Sequence, residues 1–128
     1  MFLGTFTPKL LGNSQLVLPA KIRASLEGDS AIITTGFDQC LYGFSPTDWE
    51  KIALVELSKP LSTAEGRAVR RAIFAAAEEI TIDGQGRFVL SETLRKYAGI
   101  ISEILVIGAG DHFEIWDKDQ WTRLVYSS

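Results

Sequence analysis

The chain's 128 residues, 46% hydrophobic and 23% charged, can bury one ordinary core or two very small ones that share a core, which excludes a disordered or fibrous protein. Its apolar runs are too short to cross a bilayer, Met1–Gly4 lacks the charged and apolar regions of a signal peptide, and the single cysteine, Cys40, closes no internal disulfide, so a cytoplasmic protein without membrane contact is expected. A net charge of −3 weighs against nucleic acid, yet residues 1–26 hold Lys9, Lys21 and Arg23 and no acid, whereas between 103 and 119 Glu103, Asp111, Glu114, Asp117 and Asp119 face only Lys118; a charge block is ordinarily a solvated face, so this asymmetry alone is only suggestive.

In chain order, a first strand should end in a turn at Gly12-Asn13-Ser14, small residues that supply the positive φ a tight turn needs, and Leu16–Leu18 should return from it. Pro19 suits the first position of a short helix whose Ile22 and Leu26 lie one turn apart. A hairpin follows, Ala31–Thr35 with Cys40–Phe44 around Gly36-Phe37-Asp38. Ser45-Pro46-Thr47-Asp48 then starts a helix carrying Trp49, with serine as cap, proline in the first turn and an acid at the third position. Ile52–Leu57 and Ala64–Ala77 are expected as helices joined around Lys59-Pro60-Leu61, the second opened by a capping box at Ser62-Thr63-Ala64-Glu65. Val69, Ile73 and Ala76 share one face of that helix, and Arg67, Arg70 and Arg71 another. Beyond it come a turn at Gly84-Gln85-Gly86, a strand Phe88–Leu90 and a helix capped by Ser91 with Leu94 and Ala98 on one face. A hairpin, Glu103–Ile107 with His112–Trp116, leads into a helix capped by Asp117 that carries Trp121.

The second series repeats the first. Shifted by 72 positions without a gap, Phe2 falls on Phe74, Gly12 on Gly84, Val17 on Val89, Leu18 on Leu90, Arg23 on Arg95, Gly36 on Gly108 and Trp49 on Trp121. One register held from Phe2 to Trp49 indicates a duplication, and two copies should close on each other as a pseudo-twofold pair. The chain therefore divides into a first repeat (1–50), a helical connector (51–77) and a second repeat with a C-terminal helix (78–128), an α+β, mainly β, protein.

Catalytic chemistry is not evident. His112 has no second His or Cys placed to complete a metal site and reads as an ordinary strand residue, and Cys40 reads as a buried small side chain. Gly84-Gln85-Gly86 and Gly108-Ala109-Gly110 are followed by strands rather than helices, so they read as turns and not as phosphate loops. Asp111, Glu114, Asp117 and Asp119 depart from the calcium-loop spacing. No metal, cofactor or catalytic residue is expected, and the chain is not expected to be an enzyme.

With the repeat established, three stretches of the second half resemble the MraZ family: Asp83-Gly84-Gln85-Gly86-Arg87 is similar to its Asp-x-x-x-Arg signature, Thr93–Ile100 to its Leu-Arg-x-x-Ala-Gly-Leu stretch, and Glu114-Ile115-Trp116 with Trp121 to its Glu-Ile-Trp-x4-Trp ending. In the first half Phe2-Leu3-Gly4, Leu18–Arg23 and Thr35–Leu41 also resemble it, so the likeness spans roughly residues 1–124. The resemblance implies two tandem AbrB-like swapped-hairpin β-barrel repeats joined and flanked by helices, assembled into a homo-oligomeric ring. It further implies a cytoplasmic, nucleoid-associated regulator that binds double-stranded DNA at promoter direct repeats and represses the division and cell-wall gene cluster, without cofactor.

One departure stands out. The family carries Asp-x-x-x-Arg in both repeats, and here the first copy has Leu11 and Gln15 in those places. Gln15 can still read an adenine edge but cannot neutralise a phosphate. The candidate DNA contacts are Lys9, Asn13, Gln15, Lys21, Arg23 and Arg87; the Asp83–Arg87 pair equally fits an exposed salt bridge that pins its turn. The alternative function is an AbrB-like oligomeric module, antitoxin-like or a scaffold, with weakened or lost DNA binding.

Overall fold

Leu16 and Phe88, the same position in the two repeats, turn inward from two short strands that lie side by side. A computed structural model describes residues 1–126; Ser127 and Ser128, the end of the expected second repeat, lie outside the described residues. In chain order the elements begin with β1 (Thr5–Phe6), β2 (Leu10–Leu11), β3 (Gln15–Val17), α1 (Ala20–Ala24), β4 (Ser30–Thr35), β5 (Leu41–Phe44) and α2 (Pro46–Leu57). They continue as α3 (Ala64–Phe74), β6 (Glu78–Thr81), β7 (Arg87–Val89), α4 (Glu92–Ala98), β8 (Ile104–Gly108), β9 (Phe113–Asp117) and α5 (Lys118–Tyr126). Among the described residues the strands form a six-stranded sheet, β1-β8-β9-β5-β4-β6, and a three-stranded one, β2-β3-β7.

The strand order reads the same from either end once repeat-equivalent strands are exchanged, because β1 corresponds to β6, β4 to β8 and β5 to β9. The register carries the same symmetry. In β3–β7, Leu16 lies opposite Phe88 with Gln15 opposite Val89 and Val17 opposite Arg87. In β5–β9, Tyr42 lies opposite Glu114, again an equivalent pair. Each outer strand pairs with the other repeat, β1 with β8 and β6 with β4. One core therefore takes side chains from both halves, among them Phe2, Leu16, Leu41, Phe88, Phe113 and Ile115.

The chain is α+β with antiparallel sheets, as expected, but helices hold more residues than strands. The expectation of a mainly β chain fails because α2 and α3 run 12 and 11 residues while no described strand exceeds 6. Both helices are rich in good helix formers and have strong starts. Ser45 caps α2 by accepting a hydrogen bond from the Asp48 amide at 3.0 Å. At α3 the cap is Thr63, one residue after the expected Ser62, and its hydroxyl accepts from the Gly66 amide at 3.0 Å. Pro19 likewise sits one place earlier than expected, at the cap of α1 rather than inside it. Ser91 and Asp117 accept from the Leu94 and Gln120 amides, as their positions predict.

The symmetry fails at one place where the sequence repeats. Phe2 is buried edge-on against Phe113, with ring centroids 5.3 Å apart, and its backbone pairs with Gly110. Phe74, its counterpart, ends α3 and packs against Trp49 at 5.6 Å. Gly108 permits the first arrangement, since a Cβ there would come within 2.3 Å of the Leu3 amide nitrogen.

His112 is not an ordinary strand residue. It precedes β9, and its ring bridges two carboxylates, Nδ1 to Asp111 at 2.8 Å and Nε2 to Glu114 at 2.9 Å, while lying 4.5 Å from the Tyr42 ring of the other repeat. Burial opposes its charge, but the bonds to Glu114 and Asp111 outweigh that and raise its pKa. Glu114 is held below the ordinary carboxylate range, first by its bond to His112 and, against burial, by the Trp116 indole N–H. A His whose folded pKa is raised adds stability that is fully present below its unfolded value and is lost as pH rises through the folded one. His112→Asn should therefore lower the melting temperature by about 2–6 °C near pH 6, and the gap to the parent should close toward pH 9. Thermal melts across that range check this; a gap that does not change with pH would mean that the ring is held without its charge.

Candidate nucleic-acid interface

The β3–β7 pair has two faces. Leu16 and Phe88 fill the core face, so Gln15 and Val17 of one strand and Arg87 and Val89 of the other share the outward face. Val89 is 58% exposed there, and an exposed branched residue between polar ones leaves this face open. Gln15 and Arg87 are repeat equivalents and sit diagonally across the pair, at the ~7–8 Å typical of such neighbours.

The turns beside them are built differently. In the second repeat the Asp83 carboxylate accepts the Gln85 and Arg87 amides, each at 2.9 Å, and the Arg87 Nε at 2.8 Å, while Gly86 takes the positive φ of +85°. The Arg87 amide is the largest cause holding the Asp83 carboxyl below its usual range; desolvation opposes it, and the Arg87 side chain and the Gln85 amide add to the lowering. In the first repeat Leu11 offers no such acceptor, and the turn closes on positive φ at Asn13 and Ser14. The two turns are tied symmetrically to the other repeat: the Leu90 amide donates to Ser14 O at 2.9 Å and the Leu18 amide to Gly86 O at 2.8 Å.

The remaining candidates divide. Arg23, half-buried on α1, reaches Gly84 O at 3.5 Å and lies against Gly86, where a Cβ would meet its side chain at 3.0 Å. Lys9 is exposed and, with Arg23, Val17 and Gln85, lines a groove beside the turn of the second repeat. Asn13 is exposed at the tip of the first turn. Lys21 is exposed on α1 but is not among the residues of that groove. Gln15 and Arg87 are thus brought together, as are Lys9 and Arg23, and Lys21 stands apart. Gln85 belongs to this region and was missed, although it is the repeat equivalent of Asn13. Lys118, in the acidic stretch, pairs with Glu103 at 3.0 Å. Among the described residues no helix is long and apolar enough to cross a membrane, and no group of three His, Cys, Asp or Glu side chains is arranged to hold a metal ion.

Because the Asp83 carboxyl is shifted down, it adds stability that is present above its unfolded pKa and lost as pH falls through the lower folded one. Asp83→Asn should lower the melting temperature at pH 7 and leave it close to the parent in strong acid. Melts from pH 7 to pH 2 check this; an equal deficit throughout would show that the carboxylate charge plays no part.

The MraZ family model, described as "MraZ protein, putative antitoxin-like", matches the chain twice, over residues 1–72 and 73–128, which is the 72-residue offset of the repeat. Three relatives are named "Transcriptional regulator MraZ". That of Saccharopolyspora erythraea is 42% identical over 94% of this chain and 84% of its own, and that of Micrococcus luteus 40% over the same shares. That of Roseiflexus sp. is 34% identical over 98% of this chain and 87% of its own. With its duplicated fold and two matches that together cover the whole chain, the protein belongs to the MraZ family.

Proposed function

We propose that this chain is a transcriptional regulator that binds double-stranded DNA through the outward face of β3–β7 and its two turns. The observation that carries the reading is the juxtaposition of Gln15 and Arg87 on the open face of one strand pair of the small sheet, with Lys9 and Arg23 in the adjoining groove. Such a strand pair fits the B-DNA major groove, where the amide of a glutamine can bond an adenine edge and an arginine a guanine edge or a phosphate. The relatives' names support a regulatory role.

On this reading the two halves are AbrB-like swapped-hairpin repeats, an arrangement supported by the outer strands that pair across repeats. The chains assemble into a homo-oligomeric ring in the cytoplasm, associate with the nucleoid, and repress the division and cell-wall gene cluster from upstream direct repeats. Few cations per subunit make a single contact weak, because each phosphate neutralised adds only ~0.9 to the log–log salt slope. A ring offsets this through effective concentration, which can add ~100- to 10,000-fold.

Mobility shifts with the chain's own upstream DNA at two salt concentrations test the proposal. Three repeats should bind far more tightly than one. Gln15→Arg should tighten binding and steepen the salt slope by about one per engaged subunit, and Arg87→Gln should do the reverse. Lack of any shift, with oligomers intact, would favour the reading of a scaffold that has lost DNA binding, for which the neutral Leu11 and Gln15 already speak.

A further inference from the structure

A cavity of about 250 Å³ opens on the outer face of the six-stranded sheet, where β4, β5, α2, α3, α4 and the β8–β9 turn converge. Its walls are aromatic. Tyr42 stands nearly perpendicular to Phe44 at 6.4 Å and to Phe37 at 6.1 Å. Tyr97 closes another side, its hydroxyl donating to Gly36 O at 2.6 Å. Gly36 itself makes room for the Tyr42 ring, which a Cβ would meet at 2.5 Å. Ile52 and Ile73 contribute apolar surface from the two connector helices.

Acids outnumber bases in this cavity. Glu56 and Asp111 line it together with His112, and among the described residues no Lys or Arg does. Glu56 has a loose partner in Lys59 at 3.8 Å, and the His112 ring is shared between Asp111 and Glu114. Negative charge therefore exceeds positive around a set of ring faces, which are themselves negative.

The fold does not require this recess. The positions 72 residues away from Phe37, Tyr42, Tyr97 and His112 are Ala109, Glu114, Ser25 and Cys40. On the corresponding face of the second repeat, Trp116 packs edge-on against Trp121 at 5.3 Å, in a cluster with Cys40 and Leu105. The equivalent pair of the first repeat, Phe44 and Trp49, is as close, at 5.4 Å, but the side chains beside it, Phe37, Tyr42, Tyr97 and His112, border the cavity together with Glu56 and Asp111.

We propose that this cavity is a binding site for a small organic cation, an ammonium group carried on a flat or apolar body. The rings attract the cation through their faces, the two carboxylates neutralise it, and the apolar surface takes the body. The volume lies below the ~300–1,000 Å³ of sites for drug-sized ligands, so the occupant is of modest metabolite size. Occupancy would tie α2 and α3 to the sheet and stabilise the chain by mass action. The proposal stands apart from DNA binding.

Phenethylamine and phenethyl alcohol, which share a shape and differ in charge, test it on the full chain by ligand-observed NMR and thermal shift. The amine should bind saturably and raise the melting temperature, and the alcohol should bind at least about fivefold more weakly. Glu56→Gln and Asp111→Asn should each weaken the amine several-fold while leaving the alcohol unchanged. Ile73→Phe, which fills the space, should abolish amine binding in a folded protein. Equal affinity for both probes would leave only an apolar recess and overturn the proposal. So would no saturable amine binding, or binding unaffected by both Glu56→Gln and Ile73→Phe.

Discussion

Two strand pairs join equivalent residues of the repeats, Leu16 with Phe88 and Tyr42 with Glu114, and the architecture follows from that constraint. A strand this short cannot bury its apolar face alone, nor can a hairpin of two- and three-residue strands stand in water. Setting the two copies about a pseudo-twofold gives each inward residue a partner from the other copy. The exchange of β1 and β6 completes the sheet and leaves neither half a core of its own. The halves should accordingly fold and unfold together.

The same constraint positions the candidate interface. Because Leu16 and Phe88 must point inward, Gln15, Val17, Arg87 and Val89 must point outward, and the two turns must flank them. The symmetry is one of backbone and core rather than of surface chemistry. An aspartate closes one turn through three hydrogen bonds, while positive φ at Asn13 and Ser14 closes the other without side-chain help. The outer face of the large sheet has diverged further. His112 and Tyr42 meet across the repeats there, beside a recess whose lining residues Phe37, Tyr42, Tyr97 and His112 are not repeated at the equivalent positions.

Much of this was legible in the residues. The 72-residue register, the capping serines at 45 and 91 and the hairpin turns are local or periodic signals, and they stand where the pattern puts them. The misplacements are small and physical. Ser62 and Thr63 can both cap, and the Gly66 amide is within reach of the second. The packing of His112 was not legible, because it depends on Tyr42, 70 residues earlier in the chain, coming within stacking distance, whereas its partners Asp111 and Glu114 are neighbours in sequence. Phe2 and Phe74 share a repeat position, yet one enters the core and the other ends a helix, since strong helix formers in α3 carry Phe74 along with them.

By itself the sequence determined the duplication, the helix starts to within a residue, and the replacement of Asp-x-x-x-Arg by Leu11 and Gln15, since each is written in spacing or residue type. The exchange of outer strands between the repeats, the diagonal placing of Gln15 and Arg87, the groove that Lys9 and Arg23 share, the approach of His112 to Tyr42 and the aromatic recess were decided only in three dimensions. These depend on contacts between residues far apart in the chain, and no local preference encodes a distance that the packing of two halves sets.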